Sequence, residues 1–295
     1  MISFITSLIN GLSLGSIYAI IAIGYTMVYG IAKMLNFAHG DVIMVGAYIA
    51  FSVITTMHLP TGVGIAASVI GCMLLGMTIK KIAYKPLRHA SSSLAVLITA
   101  IGVSYFLQKM ALLIFSSNPK MFTSIVPFAW QRITIGAFMI QTISVICIIV
   151  SVVLVILLQT FINKTRPGQA MLACAQDRGA AALMGISVDK TISMTFAIGS
   201  AMAGRAGVLL CSAYPTLSPY TGSMPGIKAF VAAVFGGIGS IPGAMIGGLL
   251  LGIIEILGKT YISSQLSDAI VFSVLIIVLL VKPTGLMGKV IQEKV

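Results

Sequence analysis

Several ionisable side chains stand inside strongly apolar stretches of the sequence: Asp41, Lys109, Arg205, Lys228 and Glu255. A charge at the centre of a bilayer is costly, so such residues usually face a bundle interior or water and mark the route of an ion or substrate. A proton relay needs a chain of carboxyl or imidazole groups, but this set offers only Asp41 and Glu255. His39 and Asp41 are too close in sequence to share a helix face. The set argues against a proton-coupled carrier.

The sequence carries no signature of catalysis. It lacks a G-x-x-x-x-G-K-S/T nucleotide loop, an H-E-x-x-H metal pair and a G-x-S-x-G nucleophile turn. No two cysteines have metal-ligand spacing, so we expect them to be small packing residues: Cys72, Cys147, Cys174 and Cys211. We therefore expect no enzymatic activity, no metal and no cofactor. If transport is active, ATP must be hydrolysed on separate chains.

The composition excludes a water-soluble protein. Of the 295 residues, 58% are hydrophobic and 8% are charged, whereas a soluble domain has about 25% charged residues. The mean hydropathy is +1.09. The net charge of +12 would suit nucleic acid, but the cations stand at the edges of apolar runs, as they do in membrane proteins. Soluble enzymes, nucleic-acid-binding modules and disordered chains are excluded, and a multi-spanning membrane protein remains.

Apolar runs of suitable length recur along the chain, since a membrane helix needs about 17–25 apolar residues. The candidates are 8–30, 40–58, 61–80, 92–117, 136–161, 191–213, 226–238, 241–258 and 268–282. Two of them, 226–238 and 241–258, are short or interrupted by glycine, so we predict about eight to ten crossings. No polar stretch is long enough for a second domain. We predict one all-α transmembrane domain over residues 1–295, a polytopic helical bundle with broken or re-entrant helices.

Basic residues cluster at three places, at Lys80 to Arg88, Lys164 to Lys190 and Lys282 to Lys294. The positive-inside rule places these clusters in the cytoplasm. Three apolar runs precede the first cluster, which predicts an external N-terminus. The same rule predicts a cytoplasmic C-terminus and an external loop at 118–135, which holds the only tryptophan, Trp130.

Two interruptions break the apolar pattern, at 33–41 and in GGIGSIPG at 236–243. Closely spaced glycines with a proline cannot continue a regular helix, and irregular backbone at membrane depth must be buried by protein or line a cavity. Paired breaks in the two halves of a chain point to a transport route and here also predict a twofold internal repeat. The candidate route residues are Asn36, His39, Gly40, Asp41, Gly237, Gly239, Ser240 and Gly243.

Small residues also recur every four positions, a spacing that lets helix backbones approach closely. The repeats comprise Gly239, Gly243 and Gly247; Gly248 and Gly252; and Gly199, Ala203 and Gly207. Tight packing of the helices that carry them is the expected result.

The longest internal hydrophilic stretch is 163–190. A Pro167-Gly168 turn precedes an alanine-rich run over 169–184, which we predict to be one helix with Gly185 at its C-cap. One interpretation is a solvated connecting helix. The many alanines and few charges favour a helix that packs in a groove of another protein.

Three long motifs resemble bacterial branched-chain amino-acid ABC transporter permeases, and most of all the LivH-type subunit. They are NGLSLGSIYAIIAIGYTMVYGIAKMLNFAHGD, RPGQAMLACAQDRGAAALMGI and KAFVAAVFGGIGSIPGAMIGGLLLGIIE, and the closing VLLVKPTGLMG also fits. The resemblance covers nearly the whole chain in order. It implies a type II-like ABC importer permease that moves leucine, isoleucine and valine across the bacterial inner membrane by alternating access.

The resemblance also implies partners: a LivM-like second permease subunit, two cytoplasmic ATPases and a periplasmic binding protein. The family's cytoplasmic loop is expected to supply a coupling helix for the ATPase, carried here by Ala175, Gln176, Asp177, Ala181, Leu183, Met184 and Gly185. Arg205 stands where relatives prefer a small residue. A permease for urea, short amides or sugars is an alternative of the same architecture, and a stand-alone channel or secondary carrier is an alternative of another class.

Overall fold

The computed structural model describes residues 2–89, 93–122, 132–135 and 138–288. The helices are α1 (Ile2–Ala32), α2 (His39–Phe51), α3 (Thr61–Ile79), α4 (Ser93–Phe115), α5 (Thr142–Lys164), α6 (Arg166–Gln176), α7 (Arg178–Leu183), α8 (Val188–Ala213), α9 (Ser223–Gly236), α10 (Ile241–Tyr261) and α11 (Ser267–Val281). One π-helical turn, Ser52–Thr56, extends α2, and another, Lys80–Tyr84, extends α3 and leads to a 3-10 turn at Pro86–His89.

Among the described residues, 7 helices are long and apolar enough to cross a membrane, and the shorter α9 and α11 are also apolar. Together they correspond to the nine predicted runs, and the predicted all-α polytopic class is confirmed. The four cysteines are free and buried, as expected of packing residues.

The predicted span at 136–161 begins too early. Residues Phe138–Gln141 form a strand, β3, which pairs antiparallel with β2 (Arg132–Ile135), and α5 starts only at Thr142. The β-branched and aromatic residues of RITI and FMIQ, separated by two residues that include a glycine, have the pattern of a hairpin. A second short pair joins β1 (Lys120–Met121) to β4 (Thr216–Leu217). Trp130, Lys289 and Lys294 of the predicted loop and third basic cluster lie outside the described residues.

Helices α1 and α10 form the most extensive helix pair in the described part of the chain. Glycines of both helices make the close approach possible: a Cβ atom on Gly248 would lie 2.5 Å from the Cα atom of Ala19, and one on Gly15 would lie 2.8 Å from that of Leu249. A similar approach occurs between α2 and α8, where a Cβ on Gly46 would lie 2.7 Å from the Cα of Gly204. The predicted close packing is therefore confirmed for Gly248.

Replacement of Gly248 by alanine is expected to destabilise the protein. Alanine normally favours a helix over glycine by about 1 kcal/mol, but here its methyl group meets backbone that cannot move aside. The net cost should be about 1–3 kcal/mol. Thermal unfolding in detergent should show a lower Tm for Gly248→Ala, while Gly62→Ala, with nothing within 4 Å of the added atom, should match or exceed the native Tm. Equal Tm values for the two variants would contradict the packing argument.

Helices α6 and α7, which connect α5 to α8, lie at one end of the bundle, and we name this end the connection end. There the Arg178 guanidinium donates a hydrogen bond to the Ile31 carbonyl at the end of α1, over 3.1 Å. The Lys80 ammonium, after α3, lies 2.6 Å from the Asp189 carboxylate in the first turn of α8. The C-terminal ends of α1 and α3 and the N-terminal end of α8 therefore meet at this end.

Candidate translocation route and docking surface

The first predicted break is present. Helix α1 ends at Ala32, Lys33 adopts a φ of 51°, and α2 begins at His39. Asn36 is buried in the gap, and its side-chain oxygen accepts a hydrogen bond of 3.0 Å from the Tyr84 hydroxyl. A side chain from the turn after α3 thus satisfies the polar group that the break buries.

The three residues that open α2 point to different neighbours. The His39 ring lies against Gly24 and packs on the ring of Tyr25, with centroids 4.5 Å apart. A Cβ atom on Gly40 would lie 2.8 Å from the carbonyl oxygen of Gly222, just before α9. Asp41 instead faces α4. This confirms that His39 and Asp41 do not share a helix face.

Asp41 anchors a buried polar cluster that joins α2, α4 and α9. One of its carboxylate oxygens accepts a hydrogen bond from the Ser104 hydroxyl, and the other accepts one from the Gln108 amide over 2.9 Å. The same amide lies 3.3 Å from the Ser223 hydroxyl. We name these four residues the Asp41 cluster. No cation lies within ion-pair distance of Asp41 among the described residues.

The second predicted break is also present, between the end of α9 at Gly236 and the start of α10 at Ile241. Gly237 and Gly239 have φ values of 106° and 96°, which side chains other than glycine rarely adopt. Ser240 caps α10 by accepting a hydrogen bond of 3.2 Å from the Gly243 amide. The peptide N–H groups of residues 286 and 287 donate to the carbonyls of residues 235 and 236, each over 2.9 Å.

The structure brings only some of the predicted route residues together. Asn36 from the first break and Ile238 from the second line one small pocket with Tyr25 and Phe230. Gly239 also lies against the last turns of α1, since a Cβ on Gly30 would lie 3.4 Å from its Cα. The two breaks are thus neighbours at the connection end. The Asp41 cluster lies apart from that pocket.

The segment 163–190 differs from the single helix predicted over 169–184. It forms two short helices, α6 and α7, which are separated at Asp177 by extended backbone. The Asp177 carboxylate accepts hydrogen bonds from the peptide N–H groups of Gly179 and Ala180, over 2.7 and 3.0 Å. Aspartate is a strong N-cap, so it starts a new helix and interrupts the alanine-rich run. Gly185, with a φ of 81°, lies one residue beyond its predicted place, directly after Met184, the C-cap of α7.

The predicted docking residues divide into an inner and an outer group. Ala181 is only 4% exposed and packs inward, and Ala175 is half-buried. Leu183 and Met184 are 90% and 82% exposed, and Gln176, Asp177 and Gly185 are exposed as well. An apolar pair fully open at the end of α7 is the feature that a protein groove would cover.

The sequence also matches a known family. Residues 7–279 match the profile of the family described as "Branched-chain amino acid transport system / permease component". The chain belongs to this permease family. It is a multi-pass membrane permease, not a catalytic subunit.

Relatives of the permease match it from end to end. The "High-affinity branched-chain amino acid transport system permease protein LivH" of Escherichia coli (strain K12) is 46% identical, covering 99% of this chain and 98% of that protein. BraD of Pseudomonas aeruginosa, described in the same words, is 43% identical over the same shares. Among solved structures, "PsaBC from Streptococcus pneumoniae in complex with Fab" has a TM-score of 0.49 and 13% identity, covering 95% of this chain and 91% of that chain.

Sequence reasoning missed the partners of the permease's buried charges. Lys228 of α9 and Glu255 of α10 pair with each other over 2.8 Å, and Asp268 and Lys259 lie 2.7 and 2.6 Å from this pair. The Tyr18 hydroxyl donates to the other Glu255 oxygen over 2.9 Å. Only the Glu255–Lys259 pair could have been predicted from the sequence, because residues four apart on one helix lie side by side. Lys228 and Glu255 therefore hold α1, α9, α10 and α11 together.

Arg205 of α8 is half-buried in a groove between α3 and α5 whose other lining residues are apolar: Val69, Met73, Leu154, Leu157, Leu158, Phe161, Ile198, Ala201 and Met202. No carboxylate of the described residues lies within ion-pair distance of it. Nothing in the structure explains this arginine.

Proposed function

We propose that the chain is a permease subunit of an ATP-driven importer that carries leucine, isoleucine and valine across the bacterial inner membrane. The observation that carries the proposal is the 46% identity, over 99% of the chain, to a permease named for branched-chain amino acid transport. Urea, amide and sugar permeases would share the architecture, but the end-to-end relatives carry the branched-chain name. The proposal includes a LivM-like second permease, two ATPases and a periplasmic binding protein.

The positions of the cations support a cytoplasmic connection end. Cations that lie at or directly beside this end are Lys33, Lys80, Lys81, Lys85, Lys164, Arg166, Arg178 and Lys190. The opposite end carries Lys120, Arg132 and Lys259. This asymmetry is what the positive-inside rule requires of cytoplasmic loops. The N-terminus would lie outside and the C-terminus in the cytoplasm.

In the proposed mechanism, the loaded binding protein delivers the amino acid to the external face, and ATP draws the two ATPases together. The exposed Leu183 and Met184 of α7 seat in an ATPase groove and transmit this movement. The bond of Arg178 to the Ile31 carbonyl connects α7 to the end of α1, which leads into the first break, and the Lys80–Asp189 pair at the same end joins the turn after α3 to α8. Rocking of the bundle then alternates the open side, while the binding protein selects the substrate.

Reconstitution tests this function directly. The chain, a LivM-like subunit, two ATPases and the binding protein in proteoliposomes should take up leucine only when ATP and the binding protein are both present. Fructose and urea should not accumulate. Uptake of leucine by the chain alone, without ATP, would identify a channel or secondary carrier and would contradict the proposal.

A further inference from the structure

Helix α4 packs against the rest of the permease along one side. In its most apolar 18-residue window, 22% of the residues are buried, the smallest share among the 7 candidate spans of the described residues. The packed side carries Ser104 and Gln108 of the Asp41 cluster. On the opposite side, Tyr105 and Phe106 are 60% and 63% exposed. A wide face of α4 is therefore open to lipid, to a second subunit or to a transported molecule.

Lys109 lies on this open face. It stands six residues before the end of α4 at Phe115, which is about 9 Å along the helix axis. Its exposed neighbours one turn away, Tyr105 and Leu113, offer the ammonium no charge. A cation at this depth is costly unless it meets an anion or water.

The described part of the chain supplies no anion for Lys109. Asp189 pairs with Lys80, and Glu255 and Asp268 pair with Lys228. Asp177 caps α7 at the connection end. Asp41, the acid nearest in the fold, has its carboxylate engaged by the other side of α4. None of the carboxylates that the structure describes is therefore left to neutralise Lys109.

We propose that Lys109 binds the α-carboxylate of the amino acid as it passes through the permease. The proposal rests on the proposed function, because it assumes that the cargo is an amino acid. A zwitterion crossing an apolar bundle needs a partner for its carboxylate, and a bond from ammonium to carboxylate is among the stronger hydrogen bonds. Lys109 is placed to form it on the face of α4 that this chain leaves open.

The surroundings of Lys109 suit this role better than those of Arg205. Arg205 is another cation within a described apolar helix for which no ion pair is found, but its groove is otherwise lined by apolar side chains. Lys109 is instead exposed on a helix face that the rest of this chain leaves uncovered.

A membrane anchor is the competing role, because a lysine can extend its side chain toward the bilayer surface. The anchor role and the carboxylate-binding role differ in the position on α4 at which the positive charge is needed. An anchor works equally well one turn nearer the end of the helix, at Leu113, which is 81% exposed. A ligand for the passing carboxylate must stay at 109.

The experiment uses the reconstituted complex and measures leucine uptake together with ATP hydrolysis stimulated by the loaded binding protein. For Lys109→Met we expect the leucine moved per ATP to fall at least about tenfold, the equivalent of 1.4 kcal/mol, with ATP hydrolysis within about twofold of native. Lys109→Arg should retain most uptake, and the double variant Lys109→Met/Leu113→Lys should not recover it. Full uptake by Lys109→Met, or recovery in the double variant, overturns the proposal.

A further variant removes the risk that loss of the charge prevents assembly. Lys109→Cys can be assembled and then treated with 2-aminoethyl methanethiosulfonate, which restores a cationic side chain, since the chain's own cysteines are buried. Recovery of uptake by this reagent, and not by an anionic methanethiosulfonate, supports the carboxylate role; equal uptake before and after treatment contradicts it. If the native complex itself moves no leucine, the proposed function fails, whatever the variants do.

Discussion

Replacement of Leu183 by aspartate is expected to abolish ATP-driven leucine uptake while the permease still inserts in the membrane. Leu183 is 90% exposed at the end of α7, so the change leaves the packing within this chain intact. It would, however, place an unpaired carboxylate in the apolar groove that we propose on the ATPase. Loss of such a central apolar contact costs about 2 kcal/mol or more, which weakens docking about 30-fold. Uptake assays and co-purification of the ATPases measure the effect.

Ser187→Asp is the matched control, because Ser187 is exposed and lies outside α7. It adds the same charge a few residues away, at the N-cap of α8, where aspartate is favoured. Ala181→Asp is a poorer test, since Ala181 is buried and a carboxylate there would disrupt α7 itself. If Leu183→Asp transports leucine and retains its ATPases as well as Ser187→Asp does, the docking surface is not at α7.

Replacement of Glu255 by alanine is expected to cost the protein about 3–5 kcal/mol of unfolding free energy, the usual penalty for breaking a buried ion pair. The side chains of Glu255 and Lys228 are 1% and 7% exposed, and their charged atoms lie 2.8 Å apart. Without Glu255, the buried Lys228 ammonium retains only Asp268, which is 44% exposed. Unfolding in detergent, followed by circular dichroism, measures the loss.

Two controls separate this penalty from a general effect of mutation. Asp268→Asn removes a half-exposed charge and should cost less than Glu255→Ala, because Lys228 keeps its buried partner Glu255. The double variant Lys228→Met/Glu255→Met removes both buried charges and should recover most of the loss, because an apolar pair of similar size is close to neutral. A double variant that is less stable than Glu255→Ala alone would show that the ion pair is not the cause.

Sequence reasoning located the helices well because their signal is local. Membrane-length apolar runs must satisfy their backbone hydrogen bonds within one helix, so the predicted and observed bounds of α8, 191–213 against Val188–Ala213, nearly coincide. The breaks at 33–41 and 236–243 were equally visible, since glycine, proline and polar residues interrupt a helix by their own backbone preferences. Two predictions were wrong because another local preference prevailed. Residues 138–141 form a hairpin strand where the fifth span was expected to begin, and the N-cap at Asp177 divides the helix predicted over 169–184.

The candidate sites required three-dimensional structure because their residues are distant in sequence. Lys228 and Glu255 were recognised as costly charges, but only the packing of α9 on α10 pairs them. Asn36 and Asp41 were assigned to one route. In the structure, however, Asn36 lines the pocket between the two breaks, whereas Asp41 is hydrogen-bonded to α4. Ala181 and Leu183 looked alike in the alanine-rich run, and tertiary packing buried the first and exposed the second.

By itself, the sequence determined that this chain is an all-α polytopic membrane protein with two interrupted helices and no catalytic motif of its own. These properties follow from hydropathy and backbone preference, which act within one helix or turn. Only the tertiary structure decided which charges are neutralised inside the bundle and which remain open, as Lys109 does on α4. Pairing of charges depends on which helix faces meet, and those faces are set by the close approach of glycines such as Gly15 and Gly248 across helices far apart in the chain.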